Sequence, residues 1–441
     1  MKIYIESQNL CSTPTGVYRY TSNLCKALRR NCPENELVSV SFKDRDNTPY
    51  NQESFDQLFH SNRNGLNKFK RNWFIKQNKY INDSKAHSDY NFLSAWVRHA
   101  KSTGIGPKDI EKLKIKREFA RLIMQLKRTF RNFKNGKGVP CYYEDVTGVI
   151  HSPYFPFPDD FHTRRPDVIT AQTIHDIIPL KFPETFSGNA LMDFALVLES
   201  AKRCNFIFTP SEATKRDLLS CHGFENKNII VTLLAADEVF VPATNAQIQS
   251  IRQKFGIPEN CQYFLSVSTL EPRKNFPLLL RAFNTLISKA TDKKPKLVLT
   301  GRIGWDEKTQ NEIRRLLDEM HEHVIYTGYI SDSELASLYS GALAFLMPSV
   351  YEGFGLPLLE AMACGTPVIS SNTSSMPEVV GDAGILVSPY NEDEWVSAML
   401  TMLKSNQEGM ARLSHSASER SKVFSWDKTA ATTLDAYNAI F

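Results

Sequence analysis

Glu352 and Glu360 are separated by seven residues, among them two glycines, Gly353 and Gly355, followed by Leu356, a proline and two further leucines. A glycine-bearing turn that opens a helix presents backbone N–H groups and the positive end of the helix dipole, an arrangement suited to phosphate. A second constellation is Arg273-Lys274. Adjacent cations at a strand-to-helix turn can neutralise a diphosphate through charge-assisted hydrogen bonds. The third is His175-Asp176, at the carboxyl end of an expected parallel strand, where open α/β sheets place their ligands. Each has a plainer reading: two surface acids, a solvated helix start, and a structural histidine.

The elements around these residues follow from pattern. Ala342 to Met347 reads as a short buried strand, Leu356 to Met362 as a helix start and Pro367 to Ser370 as the next strand. Gln262 to Ser268 leads as a strand into TLEPRKN, and a helix begins at Phe276. Asp167 to Ile174 leads into His175. At the amino end, strand 2–6 is followed by a loop, then by Gly16 and a helix with Val17, Tyr20, Leu24 and Leu28 at helical spacing. Strands are also expected at Leu37 to Phe42, Gly148 to His151, Asn205 to Thr209, Ile229 to Leu233, Lys296 to Thr300 and Val324 to Tyr326. Met376 to Val380 and Gly384 to Val387 are expected to complete the second sheet, with two helices after them. Residues 235–260 read as a linker.

The strings GVYRY, IHDIIP, TLEPRKN and EGFGLPLLEAMACGTPVI together resemble the retaining glycosyltransferases of family 4, whose donor-site signature is the spaced pair of glutamates. The resemblance covers residues 1–42 and 148–441. It implies an α/β protein of the GT-B fold, with two Rossmann-like domains facing one another across a cleft. The expected boundaries are 1–240 for an acceptor-binding domain, 260–425 for a nucleotide-sugar-binding domain, and 426–441 for a last helix crossing back to the first. Gly16 then belongs to a loop facing the donor diphosphate. His175 lies beside the transferred sugar, with Asp176 next to it, and Arg273 and Lys274 form the diphosphate clamp. Many members carry a further arginine where this chain has Ser268, which places more of the clamp on those two cations. Gly301 lines the nucleotide pocket, Tyr329 and Ile330 pack on the base, and Gly353, Phe354, Gly355 and Leu356 form the phosphate loop. Glu352 is expected to hold sugar hydroxyls, and Glu360 the ribose.

Composition bounds the rest. With 441 residues, 42% hydrophobic and 23% charged, the chain is of ordinary globular type and long enough for two or three domains. No apolar run reaches the length of a membrane span, and MKIYIESQNL reads as a first strand rather than a signal peptide. The eight cysteines lack metal-ligand spacing and are expected as reduced thiols. Residues 60–140 carry 20 Lys/Arg against 5 Asp/Glu, a net +15 in a chain of +5, so the remainder is net −10. This segment sits in a long insertion, 43–147, outside the resemblance and expected to be largely helical. Lys68 to Lys79 interleaves cations with aromatics. Residues 109–133 have the pattern of an amphipathic helix with one basic face. Two readings stand for it: a helix lying on an anionic membrane, or one packed on the acceptor domain. Nucleic-acid binding is set aside because no nucleic-acid fold motif accompanies the charge. Asp44-Arg45-Asp46 matches a metal-binding D-x-D only superficially, at a strand end without sugar-site context.

The sequence thus leads to a hexosyltransferase with mannose from GDP-mannose as the first donor, a sugar nucleotide as co-substrate, and neither metal nor other cofactor. The acceptor is expected to be a lipid-linked or growing glycan in surface polysaccharide assembly. The expected location is cytoplasmic, with a peripheral place on the inner face of the cytoplasmic membrane through 60–140. Transfer of rhamnose, glucose or N-acetylglucosamine, a two-carboxylate glycosidase, and a silent glycan- or membrane-binding scaffold are the alternatives.

Overall fold

A computed structural model describes residues 1–6, 16–32, 36–40, 146–158, 161–186, 188–269, 271–290, 294–301 and 307–439. The basic stretch 60–140, the 109–133 helix, the 68–79 run and Asp44 to Asp46 all lie outside these residues, as does the loop 7–15. Twelve strands occur among the described residues, in two six-stranded sheets.

The first sheet comprises β1 (Lys2–Glu6), β2 (Glu36–Val40), β3 (Val149–Ser152), β4 (Ile169–Thr173), β5 (Phe206–Thr209) and β6 (Ile229–Val231), in the order β2-β1-β3-β4-β5-β6. The second comprises β7 (Tyr263–Val267), β8 (Lys296–Thr300), β9 (Val324–Gly328), β10 (Ala344–Met347), β11 (Val368–Ser371) and β12 (Ile385–Val387), in the order β12-β11-β10-β7-β8-β9. Every pairing is parallel. Parallel strands are covered by helices on both faces, so FLSV-type runs replace alternation, and β3, β4, β5, β10 and β11 are buried throughout. Both sheets are Rossmann-like, in agreement with the expected α/β class. Strand order reverses between β1 and β3 in one sheet and between β7 and β10 in the other. Ligands of open α/β sheets bind beyond the strand ends at such points.

The chain divides into two compact units. One holds Met1–Thr209, Lys215–Val231 and Ala430–Phe441; the other holds Pro210–Thr214 and Thr232–Thr429. The core of the second is built on the helix Phe276–Lys289, where Phe276, Leu279, Leu280, Phe283, Leu286 and Ile287 form one buried stripe against Trp395, Met399 and Met402 of the helix Glu392–Lys404. Each such side chain contributes about 1.5–3 kcal/mol on burial. The first unit has two smaller clusters, one around Ile207, Leu218 and Phe224, the other around Ile150, Phe157 and Phe161.

Three expectations change. Met376–Val380 is a helix, not a strand. Met376, Val379 and Val380 are buried at helical spacing, and Pro377 lies in the first turn, where its missing N–H costs nothing. The stretch expected as a linker contains the helix Asn245–Lys254, opened by a Thr244–Gln247 capping box. It packs within the second unit: the Arg252 guanidinium lies 5.0 Å over the Tyr263 ring, and the Ala243 N–H donates to Ser340 Oγ at 2.9 Å. Three helices, not two, close the chain: Glu392–Lys404, Gln407–Ser421 and Trp426–Asn438. Asn406 caps the middle one by accepting from the Gly409 N–H at 2.8 Å. The six described cysteines are not joined in disulfides. Among the described residues no helix is long and apolar enough to cross a membrane.

Candidate functional site

In the second unit the switch point between β7 and β10 gathers Arg273, Lys274 and Glu352. β7 leads to a short 3-10 turn, Pro272–Lys274, and β10 leads to the loop carrying Glu352. The two segments are tied by backbone: the Val350 N–H donates to the Arg273 carbonyl at 2.8 Å. Asn275 closes the turn in the left-handed region, with φ 58°, and its side-chain amide donates to the Pro348 and Pro389 carbonyls at 3.2 and 2.7 Å. Asparagine is the usual non-glycine choice for that conformation.

The side chains then meet. Lys274 Nζ lies 2.6 Å from Glu352 Oε1, and Arg273 lies 2.9 Å from Glu352 Oε2. Arg273 also pairs with Glu271 at 2.7 Å and donates to the Tyr351 carbonyl at 3.0 Å. Glu352 is only 8% exposed. Burial alone would raise its carboxyl, but Arg273, Lys274 and a hydrogen bond from Ser349 outweigh burial and hold it down at about 2. Burial and the neighbouring Arg273 push the Lys274 ammonium down, against the pull of Glu352. The cluster is therefore a charged, nearly dry knot at the ends of two adjacent parallel strands.

The loop after Glu352 is pinned by hydroxyls. Ser375 Oγ lies 2.7 Å from the Phe354 carbonyl and 3.0 Å from that of Glu352, sharing one proton between them. The Gly353 carbonyl accepts from Ser211 Oγ at 2.7 Å and Thr214 Oγ1 at 3.0 Å. Phe354 is buried edge-on against Phe424, with centroids 6.0 Å apart. Gly355, with φ 111°, is the loop position whose backbone demands glycine. It opens the helix Leu356–Ala363. Leu356 is half-buried at its first position, Pro357 has no N–H, and the Leu358 N–H turns back to the Gly355 carbonyl at 2.9 Å. One turn further, buried Glu360 accepts from the Tyr339 hydroxyl at 3.3 Å.

Gly301, Tyr329 and Ile330 follow β8 and β9 in the same unit. The Gly301 N–H donates to the Gly328 carbonyl at 3.0 Å, and the Tyr326 hydroxyl donates to the Gly301 carbonyl at 2.8 Å. Tyr329 is 62% exposed and Ile330 is buried. The Ser331–Glu334 capping box fixes where the following helix starts, and so how this turn is held.

In the first unit His175 and Asp176 follow β4. The Asp176 carboxylate accepts the Ile178 N–H at 2.8 Å, which opens the short helix behind it. His175 is half-buried. Burial lowers its imidazole to about 4, only partly offset by the Pro153 carbonyl 2.8 Å from Nε2. A carbonyl only accepts, so Nε2 carries the proton and Nδ1 of the neutral ring is an acceptor. The helix Gly16–Asn31 begins at exposed Gly16 and, one turn on, sets the Tyr20 ring edge-on to His175 at 4.9 Å. Behind them lies a buried chain that sequence reading did not pick out. Tyr20 Oη lies 3.0 Å from Thr173 Oγ1, which lies 2.7 Å from His151 Nε2. His151 Nδ1 lies 2.6 Å from the Tyr437 hydroxyl. Its members come from four elements far apart in sequence, so no local motif marks them. Glu271, by contrast, sits inside the TLEPRKN string and could have been found there.

A two-sheet Rossmann-like architecture with a paired-glutamate, arginine–lysine knot at a switch point defines a glycosyltransferase of the GT-B type. Residues 247–420 match the family profile described as "Glycosyl transferases group 1". The chain is 33% identical over 301 residues to the O-antigen chain mannosyltransferase B of Escherichia coli, covering 68% of this chain and 75% of that protein. It therefore belongs to the group 1 glycosyltransferases. Against the serotype-specific mannosyltransferase WbdA of Escherichia coli the identity is 27% over 278 residues, 62% of this chain but only a third (33%) of the relative. Among solved structures, Anabaena HepE in complex with UDP and glucose superposes with a TM-score of 0.61 at 16% identity, covering all (100%) of both chains. Sucrose-phosphate synthase from Thermosynechococcus elongatus gives 0.60 at 17%, covering 100% of this chain and 98% of the other. At these identities the two structures speak for the fold alone.

Proposed function

We propose that the protein transfers mannose from GDP-mannose, with retention and without a divalent ion, to a lipid-linked or growing glycan of a surface polysaccharide. The observation that carries the reading is the Arg273–Glu352–Lys274 knot at the β7/β10 switch point. The mannosyltransferase names of the relatives from Escherichia coli support the choice of sugar. Glycosyl transfer builds negative charge on the departing diphosphate, and fixed cations aimed at it are the main source of rate. In the second unit Arg273 and Lys274 supply them, with the Gly353–Leu356 loop contributing backbone; in the first unit Gly16 is the candidate backbone donor. In the second unit Glu352 accepts from sugar hydroxyls; in the first unit Nδ1 of neutral His175 is the candidate acceptor, with Asp176 fixing the turn beside it. Glu360 accepts from the ribose, while Gly301, Tyr329 and Ile330 serve the base.

In this reading the bond from the sugar carbon to the phosphate oxygen breaks and the bond to the acceptor oxygen forms on the same face. The acceptor proton passes to the leaving phosphate. UDP-glucose is the second donor to try, because Anabaena HepE has been solved in complex with it.

The test is a screen of GDP-mannose, UDP-glucose, UDP-N-acetylglucosamine and dTDP-rhamnose by nucleotide release, with chelator present, and proton NMR of the product anomer. GDP-mannose is expected to turn over undiminished by chelator, giving an α-linked product. Lys274→Ala is expected to lose about 100- to 1000-fold in kcat, the scale of one lost transition-state donor. Turnover by Lys274→Ala within a few-fold of the natural chain would remove the clamp role.

A further inference from the structure

The knot contains two cations, Arg273 and Lys274, and two carboxylates, Glu271 and Glu352. Their side chains are 10–14% exposed, so solvent screens them poorly. The knot is thus formally neutral, although a diphosphate needs positive charge. Glu352 has a role in the reading above, as acceptor for the sugar. Glu271 has none, yet it is held firmly. Its backbone is extended before Pro272, its N–H donates to the Thr269 carbonyl at 2.9 Å, and its carbonyl accepts from the Lys274 N–H at 3.0 Å. The residue before a proline is confined to this extended region. The carboxylate is thereby aimed at the Arg273 guanidinium two residues on, 2.7 Å away. A planar guanidinium gripped by a carboxylate has one fork engaged that a phosphate would otherwise take.

We propose that Glu271 is a built-in competitor of the ligand diphosphate: it occupies Arg273 in the free chain and weakens the hold on any nucleoside diphosphate. The inference rests on the diphosphate reading of Arg273 and Lys274. Its consequence is kinetic. The clamp must release the spent nucleotide, and a local anion that retakes the guanidinium speeds that release.

The experiment is calorimetric titration of the full chain and of Glu271→Gln and Glu271→Ala with GDP, UDP and guanosine. If the inference holds, both variants bind the preferred nucleoside diphosphate more tightly, by about tenfold for removal of one close like charge. Guanosine, which lacks phosphates, is expected to bind all three proteins alike, and product release in Glu271→Gln to slow in proportion. Glutamine keeps the shape and an acceptor for Arg273, so a residue that merely positions the guanidinium would show unchanged or weaker binding in both variants. That result overturns the inference and leaves the clamp standing. Failure of the natural chain to bind either nucleoside diphosphate overturns the diphosphate reading itself, and the inference with it.

Discussion

At the scale of single residues, Gly301 illustrates how one position can be fixed by backbone alone. Its φ is 142°, and a Cβ placed there would lie 1.9 Å from the Ser268 carbonyl oxygen. No side-chain adjustment relieves a clash with backbone. Gly301→Ala is therefore expected to cost about 2–4 kcal/mol, read as a lower midpoint in urea unfolding at unchanged slope. The same glycine reads in sequence as part of a nucleotide pocket, and both demands fall on one atom-poor residue. Much of the site was legible at this scale. Glu352 is far in sequence from the adjacent pair Arg273 and Lys274, yet both places follow a recognisable strand, and the structure joins them within 3 Å. The carboxylate partners of the cations were not legible, because a charge in a string does not say which neighbour it faces.

Elements account for how the loop keeps its shape. Ser375, just ahead of the helix Met376–Val380, holds two carbonyls of the glycine loop, and Ser211 and Thr214 hold a third. Ser375→Ala leaves those carbonyls buried without this donor. A loss of about 1–3 kcal/mol in stability is expected, together with a fall in turnover larger than any fall in donor affinity, measured by steady-state kinetics. The strands and most helices were legible because parallel strands are apolar throughout and their helices carry one apolar stripe. Met376–Val380 was misread because five residues, of which Met376, Val379 and Val380 are apolar, are too few to fix a period, and Pro377 was the clue. The helix Asn245–Lys254 hid in a polar stretch. Ile251 is the one residue of that helix that is fully buried, and its start is announced by a capping box rather than by periodicity.

For the molecule as a whole, the site groups His151 and His175 of the first unit and Glu352 of the second respond to acid in different windows. In the first, burial and the neighbouring His175 depress His151 to about 3, and burial depresses His175 to about 4, from an ordinary 6.5. Groups whose folded values lie below their unfolded ones stabilise above the unfolded value, and that contribution fades as pH falls. The histidines thus begin to withdraw support below about 6.5, down to about 3. In the second unit Glu352, at about 2 against an ordinary 4.5, withdraws its support only below 4.5. Hydrogen exchange read by mass spectrometry from pH 7 to pH 3 is expected to show the first sheet loosening before the second. Simultaneous loosening would contradict the assignment of His151 as buried and neutral.

Tyr437, whose hydroxyl meets His151, belongs to the closing segment Ala430–Phe441 that completes the first unit, whereas residues 232–429 between belong to the second. During synthesis the first sheet must wait, with the His151 imidazole uncovered, for its last piece. At ribosomal rates of about 5–20 residues per second the roughly 200 intervening residues take about 10–40 s. The unit that holds β1 is therefore completed only after residues 232–429 of the other have been made, and until then His151 lacks its Tyr437 partner.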